Sequence, residues 1–253
     1  MSVADKTSQA GMNAFWENVK TIVYALLLAM VIRFAIAQPF RIPSGSMQPT
    51  LLVGDYIVVT KWSYGYSRFS LSPLHFGPAG RVLAHRPRRG DIVVFRPGTV
   101  EDKDFVKRLI GLPGDKIQVV DSVLTINDKP VKRELLGKRL FTEQTGEQIE
   151  VNAYAETLPD GGPTYTTFDR YDGPGDHTAV YEVPEGHYLM LGDDRDNSSD
   201  SRYEMGGFGY VPFDHLVGKA RFVFVSFDQT TSLFKPWTLF TGFRGDRFVH
   251  GVE

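Results

Sequence analysis

An uncharged apolar run near the start of the chain constrains it most. From Thr21 to Ile32 the sequence reads TIVYALLLAMVI. Arg33 interrupts it, and Phe34-Ala35-Ile36-Ala37 carries the apolar character on to Pro39. As a helix, Thr21 to Ala37 is about 26 Å long, at the short end for crossing a bilayer. Arg33 sits near one end, where a long side chain snorkels to the headgroups. Phe15 and Trp16 are placed to anchor the other interface. Ala35-Ile36-Ala37 also has the small-x-small form of a secretory cleavage site. Against a cleaved signal stand the long polar approach, which includes Asp5 and Glu17, and the position of Arg33 between apolar core and supposed cut. The favoured reading, over a cleaved signal or a buried helix of a soluble protein, is a retained anchor over 14–37, behind a disordered polar tail over 1–13. Lys6 and Lys20 on one side balance Arg33 and Arg41 on the other, so charge bias barely orients it.

After Pro39 the pattern changes to short β-branched runs between turn signals. Tyr56-Ile57-Val58-Val59-Thr60 follows Gly54-Asp55, and Ile92-Val93-Val94-Phe95 follows Gly90-Asp91. Ile117 to Val120, Val123 to Ile126, Tyr188 to Leu191 and Ala220 to Val225 have the same character. These lengths and compositions predict strands, and no long helical period follows residue 38. The expectation is a mainly β, antiparallel, barrel-like domain. Its core is read as 38–121 and 186–253, with 122–185 a polar peripheral insertion of hairpins and loops.

Composition narrows the function classes. Lys plus Arg total 28 against 30 Asp plus Glu, a net charge of -2, so no basic excess points to nucleic acid. There are no cysteines, which excludes thiol catalysis, Cys-ligated zinc and disulfides. The histidines, His75, His85, His177, His187, His215 and His250, show no metal-ligand spacing. The run from Arg81 to Arg89 holds four Arg and His85. It reads as a solvated loop, with contact to anionic lipid headgroups as the alternative.

Three stretches carry possible chemistry. In Pro43-Ser44-Gly45-Ser46-Met47-Gln48-Pro49-Thr50-Leu51, two prolines and a glycine fix an irregular backbone that can aim a nucleophile, the glycine leaving room for close approach. In Phe105 to Ile110, strand alternation puts Phe105, Lys107 and Leu109 on one face and Arg108 on the other. A lysine among apolar neighbours loses its preference for the charged form and can act as a base. In Gly192-Asp193-Asp194-Arg195-Asp196-Asn197-Ser198-Ser199-Asp200-Ser201-Arg202, alternate acidic residues suggest a calcium loop. Ser199 stands where that loop needs glycine and Met205 where it needs a bidentate glutamate. Interleaved Asp and Arg fit a mutually paired ionic turn better.

Singly these signals are weak. In this order, behind an apolar segment, PSGSMQPTL, GDYIVV, RGDIVVF, KRLIGLPGD and GDDRDNSSDSR resemble the bacterial type I signal peptidases. The resemblance runs from about Asn18 to Phe227. It implies a membrane-anchored serine endopeptidase that removes signal peptides from secreted preproteins, cutting after small residues at -3 and -1, with no metal and no cofactor. It implies Ser46 as nucleophile and Lys107 as general base. Ser44 would help the Ser46 N–H hold the oxyanion, and Ser198 would orient the lysine. Arg108, Asp193, Asp200 and Arg202 match the family's ionic scaffold, and Phe40, Ile42, Leu51 and Val106 its substrate pockets. Its partners would be signal peptides and the lipid bilayer. The amino terminus would lie in the cytoplasm and the β domain outside the plasma membrane. The family usually has Asn where this chain has Asp194. The aromatic segment Lys61 to Phe69 is expected either to dip into the interface or to pack as ordinary core.

Two other readings compete. A self-cleaving repressor-type Ser/Lys protease shares this β core but carries a recognition segment in place of an apolar anchor. A membrane-tethered binding domain without catalysis predicts that Ser46 and Lys107 are dispensable.

Overall fold

The computed structural model describes residues 3–71, 80–97, 103–142, 147–203, 207–228, 230–231, 235 and 237–252. Helix α1 spans Val3–Val31 and passes into a π-helical turn at Ile32–Ile36. The strands follow in order: β1 (Ala37–Arg41), β2 (Asp55–Thr60), β3 (Ile92–Phe95), β4 (Phe105–Gly111), β5 (Lys116–Val120), β6 (Val123–Ile126), β7 (Lys129–Pro130) and β8 (Lys132–Thr142). Then come β9 (Gln148–Thr157), β10 (Thr164–Asp169), β11 (Tyr181–Glu182), β12 (His187–Leu191), β13 (Val211–Pro212), β14 (Leu216–Ser226) and β15 (His250–Gly251).

The helix begins earlier than the polar composition predicts, taking in residues read as a disordered tail. Extending an existing helix adds one hydrogen bond per residue and needs no new nucleus. The segment Phe15–Phe34, 20 residues, is long and apolar enough to cross a membrane, and none of it is buried against the rest of the protein. At about 1.5 Å per residue it reaches about 30 Å, the thickness of a bilayer's hydrocarbon core.

The body is mainly β and every ladder between named strands is antiparallel. The large sheet has the order β1-β2-β14-β3-β4-β12-β13, with β15 added on β14. Strand β14 is its hub, and its register shifts against β2 and β3 are bulges that bend a strand and curl a sheet. One face buries Ile42, Leu51, Ile57, Val59, Ile92 and Val94. Val93, Phe95, Leu109, Met190 and Val211 form a second cluster. A smaller sheet, β11-β5-β6-β7, packs through Ile117, Val119, Leu124 and Val183 against Ile110, Leu189 and Leu191. The third sheet, β10-β9-β8, is built from strands that all fall within residues 122–185.

Three expectations meet the structure here. Strand β5, placed in the core by its sequence position, pairs with β6 and β11, so the satellite structure starts before residue 122. Of the aromatics in Lys61 to Phe69, Tyr64 packs as ordinary core: it is 2% exposed and its hydroxyl donates to Asp91 at 2.9 Å, while Trp62 stays half-exposed. Arg81 is only partly solvated. Its guanidinium donates to the carbonyls of Gly65 at 2.7 Å and Phe213 at 2.8 Å, because the strand ends around it leave backbone oxygens without ladder partners. His75 lies outside the described residues.

Candidate active site

The Pro43–Leu51 loop connects β1 to β2 and folds back on itself. Gln48 N–H donates to the Gly45 carbonyl at 2.9 Å and Leu51 N–H to the Met47 carbonyl at 2.8 Å. A third tie comes from the acidic loop, whose Asp194 N–H donates to the Ser46 carbonyl at 3.2 Å. Ser46 is thereby held from both sides. Gly45 does not leave substrate room as read from the sequence: a Cβ there would lie 2.8 Å from Gln48 Oε1, so that space is filled by the loop's own packing.

Strand β4 brings Lys107 to this loop across 61 residues of sequence, and Nζ lies 2.5 Å from Ser46 Oγ. Both residues are buried. In the ammonium form the lysine donates to the hydroxyl; in the neutral form the hydroxyl donates to the amine. Burial is the main cause that brings the Lys107 pKa down to about 8, with Arg202 adding to it and Asp200 and Asp193 opposing it. A minority of the amine, roughly a tenth near pH 7, is therefore neutral, and that share grows as pH rises towards 8. Ser44 Oγ is 3.4 Å from Ser46 Oγ, at the exposed side of the pair.

Behind the pair the charges are matched. Arg108 donates from Nε to Asp193 Oδ1 at 2.8 Å and from Nη2 to Asp193 Oδ2 at 2.7 Å. Its Nη1 bonds the Gly90 carbonyl at 3.0 Å, and its guanidinium lies 3.9 Å from the centre of the Tyr165 ring. Thr50 closes the group, donating to Asp193 Oδ2 at 2.5 Å. Asp200 accepts from Arg202 Nε at 2.9 Å and Nη2 at 3.0 Å, and from Gly192 N–H at 3.0 Å. Burial alone would raise the Asp200 carboxyl, but Arg202, the Gly192 N–H and Lys107 hold it below its usual value. The four scaffold residues expected from the sequence are thus assembled as two bidentate pairs.

Two expected roles are not seen. Ser198 is buried and its Oγ has no hydrogen-bond partner, so it makes no bond to Lys107. It packs instead over Gly192, where any Cβ would sit 2.2 Å from Ser198 Oγ and 2.5 Å from the Ser46 carbonyl oxygen. Only glycine permits that approach. Leu51 does not line a pocket either: it is fully buried in the core beneath the loop, packed with Ile42 and Met47. The cavity at the serine, about 290 Å³, is walled by Phe40, Ile42 and Val106, with Met47 and Phe105 beside them.

Sequence reasoning also missed the contribution of the insertion. Glu156 on β9 receives a buried two-pronged contact from Arg195 of the acidic loop, through Nη1 at 2.9 Å and through Nη2. Arg170, just past β10, grips Asp194 with Nε at 3.2 Å and Nη2 at 2.6 Å. Backbone bonds from Phe168 N–H to the Asp193 carbonyl and from Arg195 N–H to the Phe168 carbonyl lock the two segments together. The partners are 39 and 24 residues apart, beyond any local pattern. The one available signal was Asp194 itself, an extra buried carboxylate that needs a cation. Burial raises its pKa, against the opposing pull of Arg170.

The chain is similar to known proteins of one family. The profile of the family described as signal peptidase, peptidase S26, matches residues 15–225. A signal peptidase I of Rickettsia typhi is 46% identical over 224 residues, covering 83% of this chain and 80% of that protein. The signal peptidase I of Rickettsia massiliae is 45% identical over 218 residues, 81% of this chain and 78% of its own. Among solved structures, a signal peptidase I from Enterococcus faecalis is 26% identical and covers 53% of this chain and 97% of that one, at a TM-score of 0.31.

Proposed function

The chain belongs to the signal peptidase family S26, serine peptidases that remove signal peptides, and from that premise we propose that it is a membrane-anchored endopeptidase working by a Ser46–Lys107 dyad. The reading is carried by one observation: a buried amine with a lowered pKa, 2.5 Å from a buried serine hydroxyl.

In the proposed mechanism neutral Lys107 takes the proton of Ser46 as Oγ attacks the scissile carbonyl. The oxyanion is met by the Ser46 backbone N–H and the Ser44 hydroxyl. The resulting ammonium then protonates the leaving amine, which breaks the peptide bond and leaves an ester on Ser46. Lys107, neutral again, activates water to release the new carboxylate. The apolar cavity beside the dyad, bounded by Phe40, Ile42 and Val106, accepts the small side chains at -3 and -1. Helix Phe15–Phe34 confines the enzyme to the surface where tethered preproteins lie, raising effective concentration. The amino terminus is cytoplasmic and the β domain extracytoplasmic.

The test is cleavage of a purified preprotein by Ser46→Ala and Lys107→Ala. Each should lower turnover on the order of 10⁴-fold while far-ultraviolet circular dichroism stays unchanged. Folded variants that still cut at the wild-type rate would remove the dyad and favour a binding role.

A further inference from the structure

The Arg81–Arg89 run is only partly absorbed by the fold. Arg81 and Arg89 are engaged with backbone carbonyls, and Arg89 also pairs with Asp115. Arg86 and Arg88 remain exposed and line an open cleft of about 720 Å³, together with Lys219 and Arg221 from β14. Asp91 is the one carboxylate among the described lining residues, and it is already held by Lys219 at 2.5 Å and by the Tyr64 hydroxyl at 2.9 Å. A chain with a net charge of -2 therefore gathers four cations around one acid, which Lys219 already pairs, so Arg86, Arg88 and Arg221 are left as the cleft's positive excess. A cleft of that sign attracts an anion.

The place of the cleft says which anion. Ala37, the first residue after the helical segment, pairs with Thr60, and Thr60 pairs with Lys219 on the next strand. Neighbouring strands are about 4.8 Å apart, so the cleft wall stands about 10 Å from the chain's exit from its helix. The connection is tight: Lys61 N–H donates to the Ile36 carbonyl at 3.2 Å, and the Lys61 amine lies 5.9 Å from the centre of the Phe34 ring. Half-exposed Trp62 sits at the cleft's edge, a residue type suited to the boundary between headgroups and hydrocarbon. About 10 Å is also the reach of electrostatics at ordinary ionic strength. We propose that this cleft binds the headgroup of an anionic phospholipid in the bilayer that holds the helix. The proposal rests on the anchored reading of Phe15–Phe34. The bound lipid would fix the tilt of the β domain over the membrane, using side chains separate from the dyad.

The test uses the full chain in vesicles of phosphatidylcholine, with or without phosphatidylglycerol. After release into detergent, native mass spectrometry counts the lipids that stay bound. The wild type should retain phosphatidylglycerol in preference to phosphatidylcholine. Each cation near an anionic surface contributes roughly five-fold, so Arg86→Gln/Arg88→Gln should cut that preference on the order of ten- to thirty-fold. The same charge loss on the outer strand of the third sheet, Lys138→Gln/Arg139→Gln, should leave it unchanged. Turnover in phosphatidylcholine vesicles should be the same for all three proteins. A wild type without lipid preference, or an Arg86/Arg88 variant that keeps it, overturns the cleft while leaving the anchor intact. A chain that floats with neither vesicle overturns the anchored reading, and the cleft proposal with it.

Discussion

Lys107 and Arg108 follow one another on β4 and both are buried, yet their surroundings are opposite. Arg108 is enclosed by a bidentate carboxylate, a backbone carbonyl and an aromatic ring. Lys107 has one close polar partner, a neutral hydroxyl, and its nearest carboxylates are already occupied by arginines. The scaffold satisfies its charges completely, and the dyad leaves one charge unsatisfied. The difference turns two similar cations into a structural tie and a base. A guanidinium stays charged wherever it is buried, so it requires a matched partner; an amine yields its proton when no partner is offered.

The largest way to break the contrast is to leave the scaffold as unsatisfied as the dyad. Arg108→Ala strands the buried Asp193 carboxylate and should cost about 3–5 kcal/mol in chemical denaturation. A loss below about 1 kcal/mol would mean that Asp193 finds another partner. The reverse change, removing the unsatisfied charge, should stabilise the protein. The pKa of Lys107 falls on folding from 10.5 to about 8, so the unfolded chain binds more protons between those values and stability rises with pH across that window. At neutral pH and below, the cost is fully present. Lys107→Met should therefore abolish turnover and yet gain on the order of 3 kcal/mol at pH 7, several degrees in Tm. Equal melting of the two proteins would show that the amine is not disfavoured where it sits.

A smaller effect probes the insertion's grip on the acidic loop. Arg170→Met leaves Asp194 buried without its cation and should lower stability by about 2 kcal/mol, with a parallel fall in kcat and little change in KM. Asp194→Asn in the same protein removes the stranded charge and should recover most of both losses. Without that rescue, the role of Arg170 would be packing alone.

These couplings mark the limit of what the sequence makes legible. Strands such as Ile92–Phe95 and His187–Leu191 stand out because β-branched and apolar residues run between clear turn residues. The Ser46 and Lys107 pair was readable through the order of several short stretches, though neither stretch carries it alone. Glu156 and Arg170 were not readable, since each is a charged residue in a polar region whose partner is far along the chain. Leu51 failed for another reason. An irregular loop has no periodicity, so nothing in its sequence tells a residue lining the cavity from one beneath it. Ser198 was placed near the pair by resemblance, and it is near, but a resemblance transfers position more securely than a hydrogen bond.

The dependence of kcat/KM on pH tests the central claim most directly, because it reports ionisations of the free enzyme. With Lys107 as base, the rate should rise as its amine loses a proton, with an ascending midpoint near 8. A midpoint near 6.5, where an unperturbed histidine titrates, or a rate that ignores pH between 6 and 9, would contradict the account.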